Sequence, residues 1–419
     1  MVIRILCLFC CLFLFALSAS GGEKEAEVIH WWVSGGEREA LQVVIDAFES
    51  DGSRWVDTPV ENSFNAKTAA LSRMFDGYPP TLMQWHAGVA LEELHDAGLL
   101  GDIDELARKE KWAELLPPAI LAGVSSRGSI VAVPMTLHGG NWIWANKNVL
   151  EEVGVGMPDT LEDFFTIAEK IGESGFIPLA LGGQPWQERV LFLVALLAVG
   201  GDEFYRAAIV EHQPEALGGK TMEEVFRQFG RFRELVDPES AGRNWSETTQ
   251  LVIKGRAAFQ CMGDWAKGEF QHAGQVAGED FLCAIATGTQ GNYLLVSDVF
   301  AMGKVKNQEL RRTQLRLAKL MMDRDIQQKF NAIKGSIPPR KDVERSGFDI
   351  CAQQAMQSVY GSSDALLPGF NMANGGLIAS TIMDVLSGFW NNPAMLPREA
   401  ARRLQQSVAE ATVIVSDSL

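Results

Sequence analysis

The stretch His30-Trp31-Trp32-Val33-Ser34-Gly35-Gly36-Glu37 decides how this chain folds. The apolar run into it, Val28-Ile29 and the two tryptophans, reads as a first strand. Ser34-Gly35-Gly36 breaks that run, because glycine reaches backbone angles that are costly for other residues. Beyond the break, Leu41, Val44, Ile45 and Phe48 recur at the spacing of an amphipathic helix. A strand–turn–helix unit of this kind presents side chains at the carboxyl end of a strand, where α/β folds hold ligands. Alternation along the strand sends Trp31 to the core and Trp32 toward a ligand. Glu37 suits the positive end of the helix dipole with or without one.

Upstream, a single charge, Arg4, precedes an apolar run from Ile5 to Leu17, and Ser18-Ala19-Ser20 offers small residues for cleavage. Residues 1–20 therefore read as a secretory signal peptide, and the mature protein as exported to the periplasm. No later stretch has the length of a membrane helix. The remaining length exceeds one ordinary core, so two domains are expected. A formal net charge of −16 argues against nucleic acid or an anionic membrane surface as partner. Cys261, Cys283 and Cys351 follow the signal segment, too few for a disulfide scaffold. In an oxidising compartment one bridge is expected, Cys261–Cys283, between strands near each other in the chain, with Cys351 free.

From Val28 onward, strand-like and helix-like runs alternate, the pattern of an α/β fold. Thr81–Trp85 reads as a strand ending at His86. Asn141–Asn146 is another, with Trp142 and Trp144 on one face as core. Thr160 and Asp163 form a capping box, Val190–Val199 is a buried helix, and a strand pair lies around Ser297-Asp298. Beyond the signal segment, metalloprotease, dithiol, phosphate-loop and serine-elbow motifs are absent, and the six histidines lack metal-ligand spacing. No cofactor or metal is expected. A secreted carbohydrate-active enzyme stays in play, because its two carboxylates can lie far apart in the chain.

What recurs is a strand end carrying an indole beside polar groups: Trp32 with Glu37, Trp85 with Gln84 and His86, Trp265 with Asp264 and Lys267. Sugars require that mixture, since their C–H faces stack on rings while their hydroxyls both donate and accept. Eleven tryptophans against four tyrosines tilt the composition the same way. The strings Trp31-Trp32-x-Ser34-Gly35-Gly36-Glu37, Met262-Gly263-Asp264-Trp265-Ala266-Lys267-Gly268-Glu269 and Ser297-Asp298-x-Phe300 resemble the solute-binding proteins of bacterial sugar ABC transporters. Within that group they are most similar to the glucose-binding branch, from about Glu27 to the C-terminus. The resemblance implies a two-lobe α/β fold with discontinuous lobes, 24–135 plus 297–333 and 136–296 plus 334–419. Crossing segments join the lobes, and a ligand cleft lies between them. It implies a monomer, without catalytic activity, that binds a neutral monosaccharide and delivers it to transmembrane permease subunits. An oligosaccharide or a non-sugar solute is the alternative cargo.

Carried over, the stacking aromatics fall on Trp32 and Trp265, and the hydroxyl-binding groups on Glu37, Gln84, His86, Asp298 and Lys334. His138 and Asn141 match a cleft motif that commonly reads His-Arg-x-Asn; here Gly139 replaces the arginine. Asn371 stands where a ligand-touching histidine is expected. The ligand-binding set is thus Trp31, Trp32, Glu37, Gln84, His86, His138, Trp265, Asp298, Lys334 and Asn371. By composition alone, Asp264 only caps the helix after it, Lys267 and Glu269 lie on a solvated helix face, and Lys334 is a surface residue. Two carboxylates and one lysine fit a neutral hexose, and they fit its 6-phosphate poorly.

Overall fold

The structure is a computed structural model that describes residues 25–361 and 365–418. The signal peptide expected over residues 1–20 lies outside the described residues. The first sheet has five strands, in the order Arg54–Pro59, Glu25–His30, Leu82–His86, Asp298–Ala301, Ala132–Pro134. The first three are parallel, and Asp298–Ala301 runs antiparallel to both of its neighbours. A late segment of the chain therefore inserts into the sheet built by the early ones. Its register sets Asp298 opposite His86 and Phe300 opposite Gln84.

A second sheet runs in the order Phe281–Ile285, Trp142–Asn146, Ala257–Cys261, Ile177–Leu179. A third, Ala365–Pro368, Asn292–Val296 and His138–Gly139, pairs His138 with Val296. Strand Trp142–Asn146 separates two apolar cores. Trp142 and Trp144, stacked with centroids 5.6 Å apart, join the core of the first sheet, while Ile143 and Ala145 join the other. The expected alternation at this strand holds.

That wall explains why the expected Cys261–Cys283 bridge does not form. Cys261 pairs with Ile143 and Cys283 with Trp144, so the two cysteines are two strands apart and face opposite cores. Two strand spacings, about 9–10 Å, exceed the reach of a disulfide. Cys283 bonds Cys351 instead, and Cys261 is a buried free cysteine whose thiol burial pushes up to about 12.

At the opening stretch the strand ends at His30, and helix Gly35–Glu49 starts behind the N-cap Ser34. The helix buries Ala40, Leu41, Val44 and Phe48, as its periodicity predicts. Neither Gly35 nor Gly36 has a positive φ. These glycines serve close approach: a Cβ on Gly36 would lie 2.7 Å from the Gly268 carbonyl oxygen, where helix Ala266–His272 packs. The capping box at Thr160 and Asp163 forms as expected. The buried helix expected over Val190–Val199 extends from Pro185 to Tyr205. Among the described residues, no helix is long and apolar enough to cross a membrane.

Candidate ligand-binding site

The ends of the first and third sheets, the turn after His30 and the start of helix Pro185–Tyr205 surround a cavity of about 620 Å³. Trp31, Glu37, His86, His138, Trp265, Asp298, Lys334 and Asn371 all line it. The topology thus gathers eight of the ten residues expected from the sequence.

Glu37 closes a capping box at the start of its helix. One carboxylate oxygen accepts from the backbone of Val33 (3.0 Å) and Ser34 (3.2 Å), and the other lies 3.3 Å from the Lys334 ammonium. Lys334 is 1% exposed, so the surface placement that its loop composition indicates is overturned. Asp298 accepts from Trp32 Nε1 (3.3 Å) and Gln84 Nε2 (3.1 Å). Burial, reinforced by the Glu37 charge, holds the Asp298 carboxyl above its ordinary range, against the pull of His138 and Lys334.

The two histidines offer opposite functions. Lys67 Nζ donates to His86 Nδ1 at 2.8 Å, so the ring hydrogen sits on Nε2, 3.7 Å from Asp298 and 3.3 Å from the Asn371 amide nitrogen. Burial, with the Lys67 charge beside it, keeps His86 well below its usual pKa and neutral. His138 Nδ1 faces Asp264 at 2.5 Å, and its buried Nε2 lies 3.9 Å from Asp298 without a hydrogen-bond partner. The second Asp264 oxygen accepts from the Gly139 backbone (2.9 Å). Asp264 therefore orients His138 and is not a helix cap; helix Ala266–His272 has no side-chain cap. Lys267 and Glu269 are buried too, held by Asp349 (2.7 Å) and the Gly36 amide (3.0 Å), so the solvated-face reading of this helix is overturned.

Gly139 accounts for the missing arginine. A Cβ there would sit 2.3 Å from Trp142 Nε1 and 2.7 Å from the Tyr293 ring, so no side chain fits. Asn141 is fully engaged with Thr289, Asn292 and Leu294, and it fastens the third sheet without lining the cavity.

The two indoles of the opening stretch exchange their expected places. Trp32 is fully buried against Phe300 and Phe330 and does not line the cavity. Trp31 is only partly buried, lines the cavity, and its ring lies tilted against that of His86 at 4.9 Å. The alternation rule fails here because the strand stops at His30, one residue before the pair. Gln84 is likewise a supporting residue: it holds Asp298 and accepts from the Trp31 amide at 2.9 Å.

Four residues that sequence reasoning passed over belong to the site. Trp186 and Trp245 line the cavity, and the Trp186 ring lies 6.1 Å from that of Trp265. Gln184-Pro185-Trp186 follows a strand and carries an indole beside polar groups, the very pattern that marks the other walls, so it was within reach. Lys67 and Arg189 had no such signal. The Lys67 ammonium sits over the Trp85 ring (4.8 Å) against His86, where burial lowers its pKa to about 8. Arg189 lines the cavity at 8% exposure, stacks on Phe370 (4.5 Å) and donates to Asn371 (2.8 Å).

Residues 34–322 match the bacterial extracellular solute-binding protein family. The chain belongs to that family. Its relatives and structural neighbours are binding proteins and not enzymes, which removes the carbohydrate-active enzyme alternative. A protein of Rhizobium meliloti named a probable sugar-binding periplasmic protein is 36% identical over 404 residues, 95% of this chain and 97% of its own. Among solved structures, a chitin oligosaccharide binding protein superposes with a TM-score of 0.80 at 18% identity, over 93% of this chain and all of that one. The solute receptor AcbH, described as exclusive for β-D-galactopyranose, gives 0.79 at 16% identity, over 93% and 99% of the two chains. At these identities the structural likeness establishes the two-lobe α/β fold alone.

Proposed function

We propose that this protein is the periplasmic sugar-binding component of an ABC importer. Its ligand is a monosaccharide of the hexose class, glucose or a close epimer, released to transmembrane permease subunits. One observation carries the reading. At one end of the cavity, two partly exposed indoles, Trp31 and Trp265, accompany acceptors (Glu37, Asp298, His138 Nε2) and donors (Lys334, His86 Nε2). A sugar ring can stack on the indoles while its hydroxyls satisfy both kinds of group. The unpartnered buried His138 Nε2 and Trp265 Nε1 are costly until a ligand reaches them. The name of the rhizobial relative favours a sugar as the cargo.

In this reading the lobes are 24–135 plus 297–333 and 136–296 plus 334–419, and they close on the sugar as a hinge while the protein stays monomeric. The insertion of Asp298–Ala301 into the first sheet supports that interleaving. Trp186 and Trp245, which also line the cavity, favour a longer saccharide as the second reading. A thermal-shift panel of hexoses, pentoses and disaccharides separates the two. A ligand at a hundred times its Kd stabilises by about 2.7 kcal/mol. Stabilisation by a hexose is the expected result; stabilisation by disaccharides alone selects the second reading, and none by any sugar refutes both.

A further inference from the structure

Arg189 is the one cation of the site that the receptor reading leaves without work. Its Nε is buried and has no hydrogen-bond partner. Among the described residues no aspartate or glutamate forms an ion pair with it. The nearby carboxylates are committed elsewhere: Glu37 to Lys334 and two backbone amides, Asp264 to His138 and Gly139, Asp298 to Trp32 and Gln84. Burial lowers its pKa to about 10, which still leaves it charged near neutrality. A guanidinium this buried needs a counter-charge or several acceptors.

Its position ties it to the sugar site. Arg189 holds the Asn371 carbonyl oxygen, and the Asn371 amide nitrogen lies 3.3 Å from His86 Nε2, which faces Asp298. Behind His86 stands a second cation, Lys67. Counted from the sequence, two carboxylates and one lysine face the ligand; the structure adds Arg189 to the lining and sets Lys67 behind it. The rim acids Glu61 and Asp384 are exposed, where water screens them.

We infer that Arg189 recognises a carboxylate on the ligand, so that the site takes an acidic monosaccharide, a hexuronate or aldonate, in preference to the neutral hexose. This deepens the receptor reading and rests on it. A planar carboxylate can accept from two guanidinium N–H groups at once, while the ring hydroxyls still meet Glu37, Asp298 and His138. A phosphate fits less well, because its second charge would have no partner beyond that fork.

The test is calorimetry on the full mature chain with glucose, galactose, their uronates and glucose 6-phosphate. The expected result is a uronate bound about tenfold or more tighter than its parent hexose, the scale of a charged hydrogen bond. In R189M that preference should shrink to within about threefold, and R189K should restore only part of it. A neutral hexose bound as tightly as its uronate in the parent protein overturns the inference and leaves the receptor reading standing, as does a preference unchanged in R189M. Tighter binding of the 6-phosphate overturns the carboxylate assignment. Should no sugar bind at all, both readings fall. Comparison of ligands on the parent chain decides the matter even if R189M does not fold.

Discussion

Replacing each indole of the opening pair in turn separates its two roles. Trp32 is fully buried, meets the Phe300 ring edge-on at 5.5 Å and Phe330 at 5.1 Å, and donates to Asp298. Trp32→Ala should cost about 3–5 kcal/mol of stability for the lost volume, plus on the order of 1 kcal/mol for the Asp298 bond. Trp31 keeps part of its surface open to the cavity, so Trp31→Ala should leave stability within about 1 kcal/mol. Its cost appears in binding, about 1–2 kcal/mol for a lost stacking face, or roughly fivefold to thirtyfold in Kd. Urea unfolding of the ligand-free proteins measures the first effect, and calorimetry with the best ligand of the panel the second. The reversed pattern, a destabilised Trp31→Ala and a stable Trp32→Ala with weakened binding, would refute the placement of the pair.

Lys334→Met strands the buried Glu37 carboxylate and should cost about 3–5 kcal/mol, whereas Glu37→Gln/Lys334→Met should lie closer to the parent; chemical denaturation reads both. Thiol counting on the denatured, unreduced chain from residue 25 onward should find one free thiol, Cys261, and blocking by the bridge of Cys351. Cys351→Ser opens a loop of 68 residues and should lower stability by about 4 kcal/mol, less if the unfolded state retains structure. Lys67 titrates near pH 8 in the fold and near 10.5 when unfolded, so across that window the unfolded chain binds more protons and stability rises with pH. The rise, up to about 3 kcal/mol, is absent below the folded pKa and should vanish in Lys67→Met, as pH-dependent unfolding will show.

The fold was legible wherever a local period controlled the backbone. Leu41, Val44 and Phe48 gave the first helix, Thr160 and Asp163 its capped counterpart, and Trp142 and Trp144 one face of a strand that divides two cores. Illegible were the features set by neighbours remote in sequence. Cys261 and Cys283 are close in the chain, yet a third strand passes between them, and only the sheet order reveals it. The paired glycines were visible as a break, but their reason, the approach of Gly268, belongs to a helix more than two hundred residues away.

The site divides along the same line. Residues at strand ends, such as His86 and Asp298, were readable because a strand end is itself a local feature, and the register then sets the two opposite each other. Lys67 and Arg189 lie within helices, where a lone cation in a sequence is ordinarily solvated surface. What makes each unusual is its surroundings: Lys67 is enclosed by Trp85 and His86, and Arg189 by Phe370 and Asn371. A charge count taken from strand ends alone therefore understates the positive charge around the ligand. The neutral-hexose expectation inherits that bias, since it balances Glu37 and Asp298 against Lys334 only. With both helix-borne cations included, the buried Glu37 and Asp298 no longer face Lys334 alone, and Arg189 is the cavity-lining cation that neither of them pairs.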